Sequence, residues 1–196
     1  MKYIVGIDEV GRGPIAGPVA VCAFLCHPDF FDKISPEDKL PKLKDSKKLS
    51  KIQRGKWFKY LKSKKDLGEC DYCVSYVSAD NIDKFGISKC IKKALNSSLA
   101  KVAQNPEEVS VYLDGGLKAG EEFMHQETII KGDELHPVIS CASIVAKVSR
   151  DKVMSKFSEE YPGYGFEKHS GYGTSAHYEA IKNHGVTPIH RKSFLN

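Results

Sequence analysis

At 196 residues, 41% apolar and 28% charged, the chain is long enough to bury one proper core and ordinary in composition for a globular protein. Its net charge of +5 arises from 30 basic and 25 acidic side chains, and its one long apolar stretch, residues 14–26, is too short to cross a bilayer. Asp8 and Glu9, just ahead of that stretch, make it a poor signal peptide, whose leader is basic, so the six cysteines are expected as thiols in a reducing cytoplasm. Cys70 and Cys73 form a lone C-x-x-C with no second pair and no histidine at zinc spacing, which makes a redox or metal role the minor reading.

Residues 3–7, Tyr-Ile-Val-Gly-Ile, are an apolar, partly β-branched run predicted as a buried strand that stops at Asp8 and Glu9. The run Val-Gly-Arg-Gly-Pro at 10–14 turns the chain. Residues 17–25 and 72–77 give two further strands, close enough for an antiparallel meander. Between them, Ser50 and Gln53 form a capping box ahead of a helix that carries Trp57 and Leu61 on one face. Residues 39–65 hold twelve Lys/Arg against the single acid Asp45, a local balance of +11 in 27 residues. Such a segment is either a footprint for a polyanion or a solvated helix face.

From Ser88 onward, Ile91, Leu95, Leu99 and Val102 recur at helical spacing until Asn105-Pro106 breaks the pattern. Strands are predicted at 109–113, ending in Asp114-Gly115-Gly116, and at 128–131, ending in Gly132-Asp133. A helical stretch at 139–160, an irregular Gly- and Tyr-rich segment and a short helix at 175–183 complete the chain. The order implies an α/β or α+β layer fold of mixed strand direction in a single domain, 1–196.

A single carboxylate at a strand end is most often a loop acid or a helix cap. Four of them, Asp8, Glu9, Asp114 and Asp133, can converge on one patch, where cations must offset their repulsion. Hard oxygen ligands suit Mg2+ or Mn2+, and two such ions held roughly 3.5–4 Å apart can activate water and stabilise a leaving oxygen in phosphodiester hydrolysis. Gly11 and Gly13 free the backbone around Arg12 for close approach to a ligand, although the spacing is a poor dinucleotide signal. Lys47 and Lys48 can hold phosphates without reading sequence, and Ser143 and Lys147 share a helical face on which they can grip one phosphate. Tyr172, between glycines, can stack on a sugar or base. The scattered histidines 169, 177, 184 and 190 read as structural, with a proton-transfer role for one of them as the alternative.

These segments resemble the ribonuclease HII family: the run at 7–14 (IDEVGRGP) with Ala16-Gly17-Pro18, Asp45-Ser46-Lys47-Lys48-Leu49, Leu113-Asp114-Gly115, Lys131-Gly132-Asp133, the run at 142–151 (ASIVAKVSRD), the run at 169–174 (HSGYGT) and the run at 190–194 (HRKSF). The resemblance is ordered and nearly full length. It implies a ribonuclease H-like mixed five-stranded sheet flanked by helices, with a substrate-contacting C-terminal helical extension over about 160–196. It maps the family's four acids onto Asp8, Glu9, Asp114 and Asp133, with Asp151 as competitor for the fourth place; a Gly-Asp step at a strand end favours Asp133 over an acid inside a helix. It further implies that Gly11, Arg12 and Gly13 read the ribose 2′-hydroxyl, and that Tyr172 senses the deoxyribose after the ribonucleotide. Ser170 departs from the lysine common in the family, which puts a phosphate contact there in doubt.

The activity so implied is endonucleolytic cutting of the RNA strand of RNA–DNA hybrids and of single ribonucleotides in duplex DNA, by a cytoplasmic monomer without membrane attachment. Two alternatives remain at this point. A ribonuclease HIII-like enzyme would carry an N-terminal substrate-binding domain ahead of the first catalytic strand, and a noncatalytic nucleic-acid-binding module would use the basic segment alone.

Overall fold

A computed structural model describes residues 1–43 and 46–195; Asp45 of the Asp-Ser-Lys-Lys-Leu run lies outside the described residues. Five strands, β1 (Tyr3–Val10), β2 (Val19–Cys26), β3 (Cys70–Val77), β4 (Val109–Asp114) and β5 (Gln126–Ile129), form one sheet in the order β3-β2-β1-β4-β5. β1, β2 and β3 are antiparallel neighbours, while β4 and β5 run parallel to β1. The sheet is therefore mixed, as expected.

Seven α-helices accompany it among the described residues: α1 (Lys51–Asp66), α2 (Ala79–Phe85), α3 (Ile87–Val102), α4 (Gly132–Leu135), α5 (Pro137–Glu160), α6 (Phe166–His169) and α7 (Ser175–His184). The Ser50–Gln53 capping box forms in both directions, and Trp57 and Leu61 are the buried residues of α1. On one face of the sheet, Ile91, Leu95 and Leu99 of α3 pack on Val5, Ile7, Val21, Val111 and Leu113. On the other, Ile139, Ile144 and Val145 of α5 join Trp57 and Leu61 of α1 over Cys22 and Phe24. α5 lies so close to β1 that a Cβ on Gly6 would sit 2.2 Å from the Val138 carbonyl oxygen, which is why this strand position tolerates only glycine. A third small cluster, with Met154, Tyr164, Phe166 and Ala180 around Ala16, seats α6 and α7 against the far end of α5.

Two expectations need correction. β1 does not stop at the acids: its pairing with β2 continues through Asp8↔Cys22 and Glu9↔Val21 to Val10↔Ala20. The final acid does not close a strand, because β5 ends at Ile129 and Asp133 sits in the first turn of α4, after Lys131 takes a left-handed conformation (φ 57°). The apolar look of Ile129 and Ile130 suggested a longer strand, but Ile130 is exposed and parallel pairing with β4 ends at Asp114↔Ile129. All six cysteines are free thiols, and Cys70 and Cys73, three apart on β3, project to opposite faces of the sheet. No described helix is long and apolar enough to cross a membrane.

Candidate active site

β1 pairs with β4 only as far as Ile7↔Leu113, whereas its pairing with β2 runs on to Val10. The two central parallel strands thus part just where their carboxylates begin, and the cleft opens at their C-terminal ends, the usual place for a site on a sheet of this kind. Asp8 and Asp114 stand on its two sides and α4 brings in Asp133. One carboxylate oxygen from each lies within 4.8 Å of the others. The Asp133 amide donates to Asp114 Oδ1 at 3.4 Å, and its carbonyl accepts from Ser140 Oγ at 2.7 Å, which ties α4 to α5. Gly132 permits this approach, since a Cβ there would meet Ile139 Cδ1 at 2.6 Å and Asp114 Oδ1 at 3.5 Å.

Asp8 is 5% exposed and Asp133 4%. Burial pushes the Asp8 carboxyl up to about 8; the charges of Asp114, Glu9 and Asp133 add to the rise, and a hydrogen bond from Ser143 opposes it. Burial likewise raises Glu9, with Asp114 contributing and the Arg12 guanidinium opposing. Three crowded carboxylate oxygens, one kept protonated near neutrality by burial and by its neighbours' charge, match the donor set of a hard divalent cation.

Glu9 stands apart from the three aspartates. Because the strand continues, alternation places Asp8 on the α5 face and Glu9 on the α3 face, where its carboxylate lies 3.6 Å from Arg12 Nη1. Its amide donates to Asp8 Oδ1 at 2.7 Å.

Ser143, from α5, reaches into the acids rather than out to solvent. Its hydroxyl bonds to Asp8 and lies 2.7 Å from Ser46 Oγ, so the order Ser46 to Ser143 to Asp8 satisfies both hydroxyls. Lys147, one turn later, instead donates to Asp151 Oδ1 at 2.8 Å, and Ser170 Oγ donates to the same oxygen at 3.2 Å. Asp151 is thus a hydrogen-bonding acid outside the cluster, with Arg54 Nη2 4.0 Å from its other oxygen. Lys47 Nζ lies 3.5 Å from Asp133 Oδ2 and Lys48 donates to Glu134, so of the basic segment it is the loop before α1 that reaches the acids. Lys51, Lys56, Lys59 and Lys62 are exposed on α1.

Residues 11–13 lie beside the acids, and the two glycines serve different ends. Gly11 has φ +85°, and a Cβ on it would stand 2.2 Å from Arg150 Nε, so its bareness accommodates a buried guanidinium. Near Gly13 the sole neighbour of a Cβ is the Tyr172 ring, at 3.9 Å. Tyr172 is 47% exposed, with its amide bonded to the His169 carbonyl and its carbonyl to His177 Nδ1.

Three contributors carried no signal of their role. Arg54 donates to the Ser46 and Leu49 carbonyls and so shapes the lysine loop. Arg150 and Arg191 are buried and donate to backbone carbonyls around residues 11–18. Nothing local in a sequence announces such bonds; a guanidinium within an apolar helix, as at Arg150, is the one available hint.

A mixed β3-β2-β1-β4-β5 sheet with carboxylates gathered where β1 and β4 part defines a nuclease of the ribonuclease H fold. Ribonuclease H2 from Pyrococcus horikoshii OT3 superposes with a TM-score of 0.70 at 26% identity, covering 98% of this chain and 94% of that one. Ribonuclease HII from Archaeoglobus fulgidus, solved in a complex with PCNA, gives 0.74 at 24% identity over 99% and 96% of the two chains. Residues 5–196 match the family Ribonuclease HII, and the chain is 43% identical over 194 residues to ribonuclease HII of Bacillus thuringiensis (strain Al Hakam), 99% of this chain and 69% of that protein. The chain therefore belongs to the ribonuclease HII family. It is a metal-dependent endoribonuclease acting on the RNA strand of RNA–DNA hybrids, which sets aside the noncatalytic reading.

Proposed function

We propose that the protein also incises duplex DNA 5′ to a single embedded ribonucleotide, leaving 3′-hydroxyl and 5′-phosphate ends, with two Mg2+ or Mn2+ ions held by Asp8, Asp114, Asp133 and Glu9. The observation that carries this reading is that residues 11–13 follow Asp8 and Glu9 directly along the chain, with Arg12 Nη1 3.6 Å from the Glu9 carboxylate and the Tyr172 ring beside Gly13, so a ribose read by this turn lies near both. When bound, the ions supply an activated water and charge stabilisation at the leaving oxygen.

The chain's own residues do the rest. Ser143 fixes the orientation of the Asp8 carboxylate through its hydroxyl. Lys47 and Lys48, now leaning on Asp133 and Glu134, exchange those carboxylates for substrate phosphates, and Lys147 adds charge along the same track. Gly11, Arg12 and Gly13 test the 2′-hydroxyl. Tyr172, part of the C-terminal extension from about 160, stacks on the deoxyribose that follows. A monomer in a reducing cytoplasm is consistent with six free thiols.

The test is a DNA duplex containing one ribonucleotide, incubated with Mg2+, Mn2+ or EDTA. Incision 5′ to the ribonucleotide with either metal and none with EDTA is the expected result; a duplex left intact while long hybrids are cut removes this substrate from the enzyme's range.

A further inference from the structure

Arg191 is fully buried. Its guanidinium donates to three main-chain oxygens: Nη2 to Gly11 at 2.6 Å, Nη1 to Arg12 at 2.9 Å and Nε to Gly17 at 3.0 Å. Burial, joined by the neighbouring charge of Arg150, lowers its pKa to about 9. A buried cation is costly to retain unless its geometry is needed.

What that geometry does follows from the peptide group. In a planar trans peptide the carbonyl and the following N–H project to opposite sides. With the Gly11 and Arg12 carbonyls both turned inward onto one guanidinium, the N–H groups of Arg12 and Gly13 are turned outward together. Neither amide donates to another backbone group among the described residues. Two adjacent outward donors beside the acid cluster suit an oxygen-rich ligand such as a ribose hydroxyl with its phosphate.

The segment bearing Arg191 is itself fastened at both ends. The Arg191 amide donates to the Ile15 carbonyl and the Gly17 amide to the Ile189 carbonyl, each at 2.8 Å. Beyond it, Asp83 of α2 accepts from the Lys192 amide at 2.8 Å, the Ser193 amide at 3.1 Å and the Ser193 hydroxyl at 2.5 Å. Asp83 also opposes the fall in the Arg191 pKa by its charge.

We infer that Arg191, latched by Asp83, is a positioning residue that sets ribose-versus-deoxyribose discrimination by aiming the Arg12 and Gly13 amides. The inference rests on the proposed reading of residues 11–13 as the 2′-hydroxyl sensor.

The experiment compares the affinities of two duplexes that differ by one 2′-hydroxyl, measured in EDTA to prevent turnover, for the wild type, Arg191→Lys and Asp83→Ala. The wild type should prefer the ribonucleotide duplex. A lysine ammonium cannot hold three divergent carbonyls, so Arg191→Lys should lower that preference about tenfold, the equivalent of one or two hydrogen bonds, with affinity for the all-DNA duplex unchanged. Asp83→Ala, at the surface, should lower it about threefold by the same logic, and it carries the test if Arg191→Lys does not fold. A wild-type preference retained in the folded variants overturns the role of Arg191 and leaves the sensor reading standing. Equal losses on both duplexes also overturn it, by making the residue merely structural. A wild type that does not distinguish the two duplexes overturns the sensor reading and the inference together.

Discussion

The aspartates between β1, β4 and α4 crowd one another, Asp8 taking hydrogen bonds from Ser143 and the Glu9 amide and Asp133 facing Lys47, whereas Arg150 and Arg191, buried at least as deeply, direct their donors to main-chain oxygens. The contrast separates two uses of buried charge. Clustered carboxylates repel one another where no cation is bound, while the guanidiniums that hold the loop in shape are satisfied within the protein.

Several substitutions would break that contrast or refine it. Asp114→Asn should lower kcat at least about a thousandfold while leaving hybrid binding measurable, because only a group that serves the reacting centre behaves so; near-normal rates in a hybrid-cleavage assay would remove the carboxylates from the mechanism. Arg150→Met should cost about 3 kcal/mol in urea unfolding, since the Pro18, Ser170 and Ala16 carbonyls lose their donor. Little change there would show that the guanidinium is not needed to satisfy them.

Asp8→Asn should move stability the other way. A carboxyl raised to about 8 stays protonated when folded but ionises near 4 when unfolded, so it destabilises the metal-free protein progressively as pH rises from about 4 to 8. The amide removes that penalty, and the metal-free melting temperature at neutral pH should rise by the equivalent of a few kcal/mol, at roughly 1.4 kcal/mol for each pH unit above the unfolded value; a fall would mean that the site is not under charge strain.

His177 extends the comparison to a third kind of buried group, one held neutral. Burial lowers it to about 4, with its Nδ1 on the Tyr172 carbonyl and Nε2 3.1 Å from His190 Nε2. The unfolded chain takes up this proton below about 6.5 and the folded chain does not, so stability should decline between those values as pH falls and level off below the lower one. An NMR titration of the ring placing its midpoint near 6.5 would contradict this. The smallest effect is expected for Lys48→Ala, a few-fold rise in KM and a salt dependence of binding shallower by about one counterion.

The sheet was readable from sequence because its signals are local: the apolar run before Asp8, the Ser50–Gln53 box, the i, i+4 spacing of Leu95 and Leu99. Asp8 and Asp114 were legible for the same reason, each following a buried run. Asp133 was identified with the wrong local structure, since Gly132-Asp133 reads equally as a strand end or the first turn of a helix. Glu9 shows what adjacency hides: whether a strand ends or continues is decided by its pairing with β2, which no window around residue 9 contains. Arg191 is the extreme case, its partners lying 174 to 180 residues away.

That separation has a consequence for biosynthesis. The carboxylates of β1, β4 and α4 are all in place by residue 133, but the carbonyls of Gly11 and Arg12 wait for a guanidinium nearly sixty residues further on. Contacts of such long range form late. On the proposed reading of residues 11–13, a nascent chain stalled short of that point would hold the clustered carboxylates without the element that orients that turn, so fidelity toward ribose would be among the last properties the emerging enzyme acquires.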